Sequence, residues 1–425
     1  MRQAVLLAGI AAIAAASPAP SPVSQGIDFA AINAAPSPSV TGPPISASTQ
    51  SVVYNTASVV AEGSAAVTGV ASASATASQA AHSKRTWWDF GWSWGIQPQP
   101  SPSKSTTTSQ AQPAPTTSKS SSSQGSGSTT TSKSVATSTI AQSEPTDTVI
   151  PTVSEACATQ PDGYGPKVQP DTVVAFEAYA PFHQAAQSAK APAGYVSTFV
   201  DLNASVTANT YLGLQTFTSY DVTSCSEYCD NTTLCTGFNI FVERDPSVNP
   251  SDNCTNPASI INYKCTLWGS GVDAASATNV GQTRDQFQVV IAGSDGFTKV
   301  NTTTPASPPG WQAPQQCGSH GSAGHNHPST CIGTSFFPGP YNPLLCASYA
   351  AAQNAINAKS GYSGSYNPLK CNFFNSYMLK KNGSPLGTYC GLYAQQYSGN
   401  DADYLPGWQR SDFWSIESSW GFSIL

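Results

Sequence analysis

The chain has 425 residues, only 9% of which are charged, and its formal net charge is −6 at pH 7. Ordinary globular proteins carry about 25% charged residues, so long tracts of this chain are predicted not to form folded domains. The acidic excess lies in residues 144–425, which carry 20 Asp and Glu against 11 Lys and Arg. This balance argues against nucleic acid as a partner.

The first residues predict a secretion signal. Arg2 supplies a positive start, residues 4–15 form an apolar run, and residues 14–16 offer a small-residue cleavage site, so we expect a signal peptide over residues 1–16. The run is shorter than the ~20 residues that span a bilayer, and no later segment qualifies. We therefore expect a secreted chain without a membrane span, with the cell wall as one candidate location.

Residues 17–85 are rich in Ala, Ser, Val and Pro and show no sustained helical or strand periodicity. Such a composition predicts disorder. The tract ends in the dibasic pair Lys84-Arg85, which in a secreted chain is a candidate processing site. Residues 17–85 would then be a propeptide and Thr86 a new amino terminus. The alternative is an uncleaved linker, and the sequence leaves both open.

Residues 86–150 begin with a tryptophan cluster and continue as a Ser/Thr-rich tract, which we interpret as a disordered stalk. Within the cluster, residues 91–95 match the G-x-S-x-G pattern of serine-hydrolase nucleophile elbows. That elbow needs a strand before the motif and a helix after it. The flanking runs SATASQAAHSKR and IQPQPSPSKS predict neither element, so we interpret the cluster as an exposed tail rather than an active site.

All 11 cysteines lie between Cys157 and Cys390. In a secreted chain they favour disulfides over zinc, and their odd number leaves at least one thiol free or intermolecular. The same half of the chain holds five Asn-x-Ser/Thr sequons, which predict N-glycosylation at surface positions. These sequons begin at Asn203, Asn231, Asn253, Asn301 and Asn382.

The most informative run is SYDVTSCSEYCDNTTLCTGFNIFVE, residues 219–243. Cys225 and Cys229 are four residues apart, so a helix over residues 223–229 places both sulfurs on one face. Asp221 or Thr223 is a suitable cap for this helix. Strands are predicted over residues 238–242, 265–268 and 285–291. A helix lying on such a sheet would carry its two cysteines over neighbouring strands.

This run resembles the apple/PAN module, whose hallmarks are C-x3-C on a helix, then C-x-G-F, then C-x-L on the next strand. The resemblance implies an α+β fold in which a helix packs on an antiparallel sheet. It also implies disulfides between Cys225 and Cys265 and between Cys229 and Cys235. The layout of residues 157–425 is similar to that of secreted fungal proteins with tandem apple-like halves.

The pattern recurs later in the chain. The run from Tyr341 to Cys346 corresponds to that from Tyr220 to Cys225, and later landmarks follow in the same order. We therefore predict a first module over residues 151–305 and a second, degenerate module over residues 306–425. The later matches are Cys371 with Cys235, Cys390 with Cys265, Arg410 with Arg284 and Phe413 with Phe287.

The correspondence extends the disulfide assignment. It pairs Cys346 with Cys390, whereas Ala350 stands where the first module has Cys229. Cys371 therefore lacks its expected partner, a role open to Cys317 or Cys331. Two cysteines without counterparts in the second module are expected to pair with each other, namely Cys157 and Cys254.

One loop raises a catalytic alternative. His320, His325 and His327 lie between Cys317 and Cys331, and imidazoles at this spacing can hold copper or zinc. The loop is rich in Gly, so little pre-organises the ligands, and the simpler interpretation is a soluble loop in which His is merely polar. We expect no metal and no cofactor, and keep a metal-dependent enzyme as the alternative that convergence of the three imidazoles would support.

The sequence as a whole predicts a secreted or cell-wall-associated, non-enzymatic binding protein. Apple modules mediate contacts with glycans or proteins, so the resemblance implies a cell-wall or host glycan, or an extracellular protein, as the partner. A structural wall protein or a host-directed protein without a small ligand is a third reading. The recurring Arg284 and Arg410 are interpreted as structural, and the strand residues Trp268 and Tyr393 as core residues.

Overall fold

The computed structural model describes residues 27–38, 41–43, 48–73, 146–149, 155–161, 163–300, 304–360 and 369–425. These residues form an α+β fold of mostly antiparallel strands with few helices. The expected signal peptide, the Lys84-Arg85 pair, the tryptophan cluster and Asn301 lie outside the described residues.

The described residues other than the strand at 146–149 fall into three parts: an N-terminal segment (residues 27–73), a first module (residues 155–300) and a second module (residues 304–425). The N-terminal segment and the strand before the first module comprise α1 (Phe29–Ala34), β1 (Thr49–Val53), α2 (Thr56–Ala73) and β2 (Thr146–Val149). The first module comprises α3 (Val173–Glu177), α4 (Ala180–Ser188), β3 (Tyr195–Leu202), β4 (Ser205–Val206), β5 (Tyr211–Phe217), α5 (Val222–Asp230), β6 (Gly237–Pro246), β7 (Ser259–Trp268), β8 (Ala277–Asn279), β9 (Gln282–Arg284) and β10 (Phe287–Lys299). The second module comprises β11 (Gln315–Gln316), β12 (Cys331–Pro338), α6 (Pro343–Asn357), β13 (Phe373–Lys381), β14 (Ser384–Tyr393), β15 (Gly407–Gln409) and β16 (Asp412–Ser423).

The two modules have the same strand order. The first sheet runs β5-β7-β6-β10-β3 and the second runs β12-β14-β13-β16-β11, with every neighbouring pair antiparallel. The helices α5 and α6 occupy equivalent places in the chain, each just before the central strand β6 or β13. The internal repeat expected from the sequence is therefore present as two sheets of one topology.

The helix that precedes the central strand of each module, α5 or α6, begins at a polar cap. The Asp221 carboxylate accepts a hydrogen bond from the Ser224 amide (3.0 Å), and Asn342 accepts one from the Leu344 amide (3.1 Å). Capping satisfies a backbone donor that the first helical turn leaves unpaired. Cys225 lies on the buried face of α5, as its spacing predicts.

Four disulfides join the described residues, and their pairs are those expected from the sequence. In each module one disulfide links helix α5 or α6 to the strand next to the central strand, which is β7 in the first module and β14 in the second. Cys317 and Cys371 are buried outside these bonds. The four pairs are Cys157–Cys254, Cys225–Cys265, Cys229–Cys235 and Cys346–Cys390.

In each sheet a buried asparagine is hydrogen-bonded to a β-bulge at the equivalent position. Asn239 Nδ2 donates to the Asp295 carbonyl and to Ser294 Oγ, both at 2.9 Å. Asn375 Nδ2 donates in the same way to the Trp420 carbonyl (3.1 Å) and to Ser419 Oγ (3.0 Å). Each bonded stretch belongs to a β-bulge of the neighbouring strand. The bulge contains one residue of positive φ in each module: Gly293 (56°) and Ser418 (53°).

The N-terminal segment differs from the sequence prediction, which found no regular element in residues 17–85. Part of that range forms α1, β1 and α2, and α2 packs against α6. The contact uses small side chains: a Cβ on Gly63 would lie 2.5 Å from the Leu345 carbonyl oxygen. An Ala- and Gly-rich helix that packs this closely shows no wide apolar stripe, so the sequence gives little sign of it.

The two modules also contact each other directly. Lys380 of the second module lies 2.8 Å from a carboxylate oxygen of Asp273 in the first, and 3.2 Å from Glu417 of its own sheet. Glu417 in turn accepts a hydrogen bond from the Gly271 amide (2.7 Å). Burial alone would lower the pKa of the Lys380 ammonium, but the two carboxylates raise it above its usual value. The charged form therefore persists at this junction.

The disulfides of the first module predict unequal losses of stability. The Cys225–Cys265 bond spans 40 residues and the Cys229–Cys235 bond spans 6. In the chain-entropy model, closing the longer loop contributes about 4 kcal/mol and the shorter about 2 kcal/mol. We expect the double variant Cys225→Ser/Cys265→Ser to unfold at clearly lower urea concentration than Cys229→Ser/Cys235→Ser. Equal midpoints for the two variants would contradict this account.

Candidate binding surface

An aromatic pair stands exposed on the β15–β16 hairpin of the second module. Trp408 and Phe413 are directly opposite each other across the two strands. Their ring centroids are 5.4 Å apart, and the side chains are 68% and 42% exposed. Leu405, three residues before Trp408, is 66% exposed. A cluster of large exposed apolar side chains is a common sign of a binding site.

The equivalent hairpin of the first module carries polar residues instead. We align the two hairpins on the β-bulge that strands β10 and β16 both contain. In this alignment Trp408 and Phe413 correspond to Thr283 and Gln288, which are likewise paired and exposed. The two modules therefore differ at this surface while sharing its backbone. A structural requirement of the fold would apply to both hairpins, so the aromatic pair is specific to the second module.

This correspondence corrects the matches of Arg410 with Arg284 and of Phe413 with Phe287. The turn residue of positive φ is Asp285 (51°) in the first hairpin and Arg410 (59°) in the second. The two sequence matches are therefore displaced by one residue from the structural alignment of the hairpins. A displacement of one residue moves a strand side chain to the opposite face of the sheet. Phe287 is fully buried, whereas Phe413 faces outward.

The structure gives Arg284 and Arg410 different surroundings. Arg284 donates to the side-chain oxygen of Asn249, whereas Arg410 is exposed at the tip of its hairpin. The predicted match of the two positions is therefore wrong, whereas a structural role for Arg284 agrees with its hydrogen bond to Asn249. The core positions expected for Trp268 and Tyr393 are confirmed, since both are almost fully buried.

A polar rim fixes the backbone beside the aromatic pair. Asn382 Oδ1 accepts a hydrogen bond from the Phe413 amide (2.8 Å), and its Nδ2 donates to Asp412 Oδ1 (3.0 Å). Lys381 Nζ lies 3.1 Å from the other Asp412 oxygen. The hydrogen bonds from Lys381 and Asn382 lower the pKa of the Asp412 carboxyl. Asp412 directly precedes Phe413 on β16, so its carboxylate lies on the opposite face of the hairpin from the two exposed rings. The network therefore supports the hairpin from its inner face, where Lys381 Nζ also lies 5.8 Å from the centre of the Trp414 ring.

The histidine loop does not bring its three imidazoles together as a metal site. His325 Nδ1 lies 3.0 Å from His327 Nε2, and His325 Nε2 lies 3.4 Å from Cys317 Sγ. His320 is exposed, in a short turn where its own φ is 54°. His327 stacks on Tyr397, with ring centroids 3.7 Å apart. In the part of the chain that the structure describes, no three His, Cys, Asp or Glu side chains are grouped to hold a metal ion.

The contact between Cys317 and His325 is a neutral hydrogen-bonded pair. Burial raises the pKa of the Cys317 thiol to about 12. Burial, followed by the neighbouring His327, lowers the pKa of His325 to about 4. Cysteine nucleophiles need the opposite shifts, which stabilise a thiolate beside an imidazolium. The main-chain amide of His325 donates to Asn375 Oδ1 (3.0 Å), so the loop is held by the same asparagine as the bulge.

A second group of residues with shifted pKa values is buried inside the first module. Lys264 contacts both Glu243 and Asp245, the latter at 2.9 Å, and Asn262 donates to Asp245 at 2.8 Å. Burial raises the pKa of Glu243, and the adjacent Asp245 adds to this shift. All three charged side chains are at most 8% exposed. The cluster is a buried network of the core and offers no open face to a substrate.

The sequons that the structure describes are all on the surface. Asn203, Asn231, Asn253 and Asn382 are exposed, as attachment of a glycan requires. The residue after Asn253 is the disulfide-bonded Cys254, which restricts that site. N-glycosylation at these positions stays a prediction.

Comparison of the chain with protein-family models, with curated proteins and with solved structures finds no match. No helix among the described residues is both long and apolar enough to cross a membrane.

A buried carboxyl predicts how stability depends on pH. Asp295 is fully buried, and burial raises its pKa to about 6, although the Asp201 amide donates to it at 2.8 Å. The folded protein thus holds this proton to higher pH than the unfolded chain. The contribution of Asp295 is greatest below the ordinary Asp pKa of ~3.9 and is lost as the pH rises through about 6.

We therefore expect Asp295→Asn to increase the free energy of unfolding at pH 7.5 by about 1–3 kcal/mol, with little change at pH 4. Urea unfolding at the two pH values measures this. Asp221→Asn is the matched control, because hydrogen bonds from Ser224 lower the pKa of Asp221 and give its contribution the opposite pH dependence. A loss of stability in Asp295→Asn at pH 7.5 would contradict the assignment.

The buried thiols predict slow chemical modification. Only a thiolate reacts readily with iodoacetamide, and burial raises the pKa of both Cys317 and Cys371 to about 12. We expect mass spectrometry to find both unmodified after native treatment at pH 8 and fully alkylated after treatment in denaturant. Rapid native labelling of Cys317 would show instead that its thiol is activated and accessible.

Proposed function

We propose that the protein is a secreted or cell-wall-associated, non-enzymatic binding protein, built from two apple/PAN-like modules, that recognises a glycan or a protein outside the cell. The observation that carries the proposal is the exposed pair Trp408–Phe413, which replaces the polar pair Thr283–Gln288 of the first module. Keeping two large rings in water is unfavourable, and a ligand that covers them removes that cost.

Of the two ligand classes, the surface favours a glycan. A protein interface buries about 800 Å² on each partner, whereas an aromatic side chain buries about 150–250 Å². Two rings and Leu405 are therefore a small patch for a protein but enough to face one or two sugar rings. The exposed Arg410 at the tip of the same hairpin is a suitable hydrogen-bond donor for sugar hydroxyls.

The neutral Cys317–His325 pair supports the non-enzymatic part of the proposal. Burial disfavours the charged form of each group, so the pair is poorly suited to nucleophilic catalysis. The alternative of a metal-dependent enzyme required His320, His325 and His327 to converge, and His320 is exposed in its own turn. No observation on the described residues favours that alternative over binding.

The proposal is tested by binding of the full chain to a glycan array and to insoluble cell-wall polysaccharide. We expect Trp408→Ala to weaken the binding at least about tenfold, since a central aromatic contact contributes more than about 1.4 kcal/mol. The fold should be unaffected, because Trp408 is exposed. The matched control is Thr283→Ala, the equivalent position of the first module, which should bind like the wild type.

Two results would contradict the glycan assignment. Equal binding by Trp408→Ala and the wild type would show that the hairpin is not the contact. Binding that survives enzymatic removal of wall polysaccharide but is lost after proteolysis of the wall material would identify a protein partner instead.

A further inference from the structure

The N-terminal segment contacts the second module through α1. Ile32 is 7% exposed and packs in one cluster with Leu379 and Tyr389 of the sheet. The Phe29 ring lies 4.6 Å from that of Trp414. The contact is apolar in its centre and bounded by polar groups, as in a ligand-binding face.

The matching face of the first module is not a site of this kind. There, Glu243 and Lys264 stand where the second module has Leu379 and Tyr389. The two side chains form a buried ion pair. The apolar face under α1 is therefore a particular feature of the second module.

The same segment contacts the first module through β1. This strand is an inner strand, hydrogen-bonded to β5 on one side and to β2 on the other. The Tyr228 hydroxyl donates to the Gln50 carbonyl (3.2 Å), and the Thr41 carbonyl accepts from the Ala208 amide (2.8 Å). Backbone pairing along both edges is the bonding by which sheets capture extended peptides.

The third contact is made by α2 on α6 of the second module. Val59 and Val67 are 7% and 4% exposed and belong to the core cluster of α6. Val60, the next residue of the same helix, lies about 100° further round the helix axis and is 40% exposed. Gly63 lets the two helix backbones approach closely, because a Cβ there would meet the Leu345 carbonyl oxygen and Ser348 Cβ at 2.5 and 2.7 Å.

We propose that residues 27–73 are a ligand of the rest of the chain, bound at one composite site made of the β5 edge, α6 and the β13–β14 face. These residues are joined to β2 only through residues 74–145. A cut in that connection would therefore leave a noncovalent two-chain protein and would not release a propeptide. The proposal is independent of the glycan surface, which lies on the β15–β16 hairpin.

The test uses the full chain with a recognition site for a sequence-specific protease inserted after residue 110. After complete cleavage, size-exclusion chromatography at about 1 μM, with mass spectrometry of each fraction, shows whether the N-terminal chain stays bound; a dissociation constant well below this concentration keeps it in the main peak. Co-elution is expected. Separate elution of the N-terminal chain would overturn the proposal.

Matched variants on α2 separate specific docking from unspecific adhesion. Val59→Asp buries a charge against α6 and should raise the dissociation constant of the cut chain at least about tenfold, whereas Val60→Asp should leave it unchanged. Both variants are compared before cleavage by circular dichroism, when the covalent connection still holds the segment. The dissociation constants are obtained by repeating the chromatography over a dilution series, and equal constants for the two variants would overturn the composite site.

Discussion

The hydrogen bonds of one buried asparagine in each module underlie much of this structure. Asn239 and Asn375 each donate to a bulged stretch of the neighbouring strand, and each also accepts a hydrogen bond from a backbone amide, that of Val206 in the short strand β4 or that of His325 in a loop. A buried amide left without these partners would be costly, so the bulge and the loop are fixed together. The bulge then sets the register of the rest of the strand.

That register decides which side chains reach the surface of the hairpin beyond it. In the first module it turns Phe287 inward, under the guanidinium of Arg244 at 4.2 Å from the ring centroid. In the second it turns Trp414 inward and leaves Phe413 outside. The same backbone thus gives a polar surface in one copy and an aromatic surface in the other. Divergence of this kind, on a retained framework, is how repeated modules acquire different contacts.

The two modules also carry different side chains on the matching face of their sheets. The first buries a lysine with two carboxylates, and the disulfide Cys157–Cys254 lies in the same module. The second presents an apolar face, which the N-terminal segment covers with α1. A buried ion cluster needs complete pairing, whereas an apolar face needs only a cover of suitable shape. The N-terminal segment supplies this cover, and it also pairs with the first sheet through β1.

The sequence by itself determined the features that depend on local spacing. Cysteines four residues apart placed α5 and its sulfurs, Asp221 or Thr223 marked the start of that helix, and the recurring landmarks indicated two copies. Tertiary structure alone decided the rest, because each remaining feature depends on partners distant in sequence. The strand pairing decided the position of Phe413, because it aligns the two hairpins on a bulge that both sheets contain. The spacing from Phe413 to Phe422 is one residue shorter than that from Phe287 to Phe297, but this spacing alone does not show which landmarks are equivalent. The formation of β1 and α2 follows from close contact with β5 and α6, which no periodicity of an Ala-rich segment reveals.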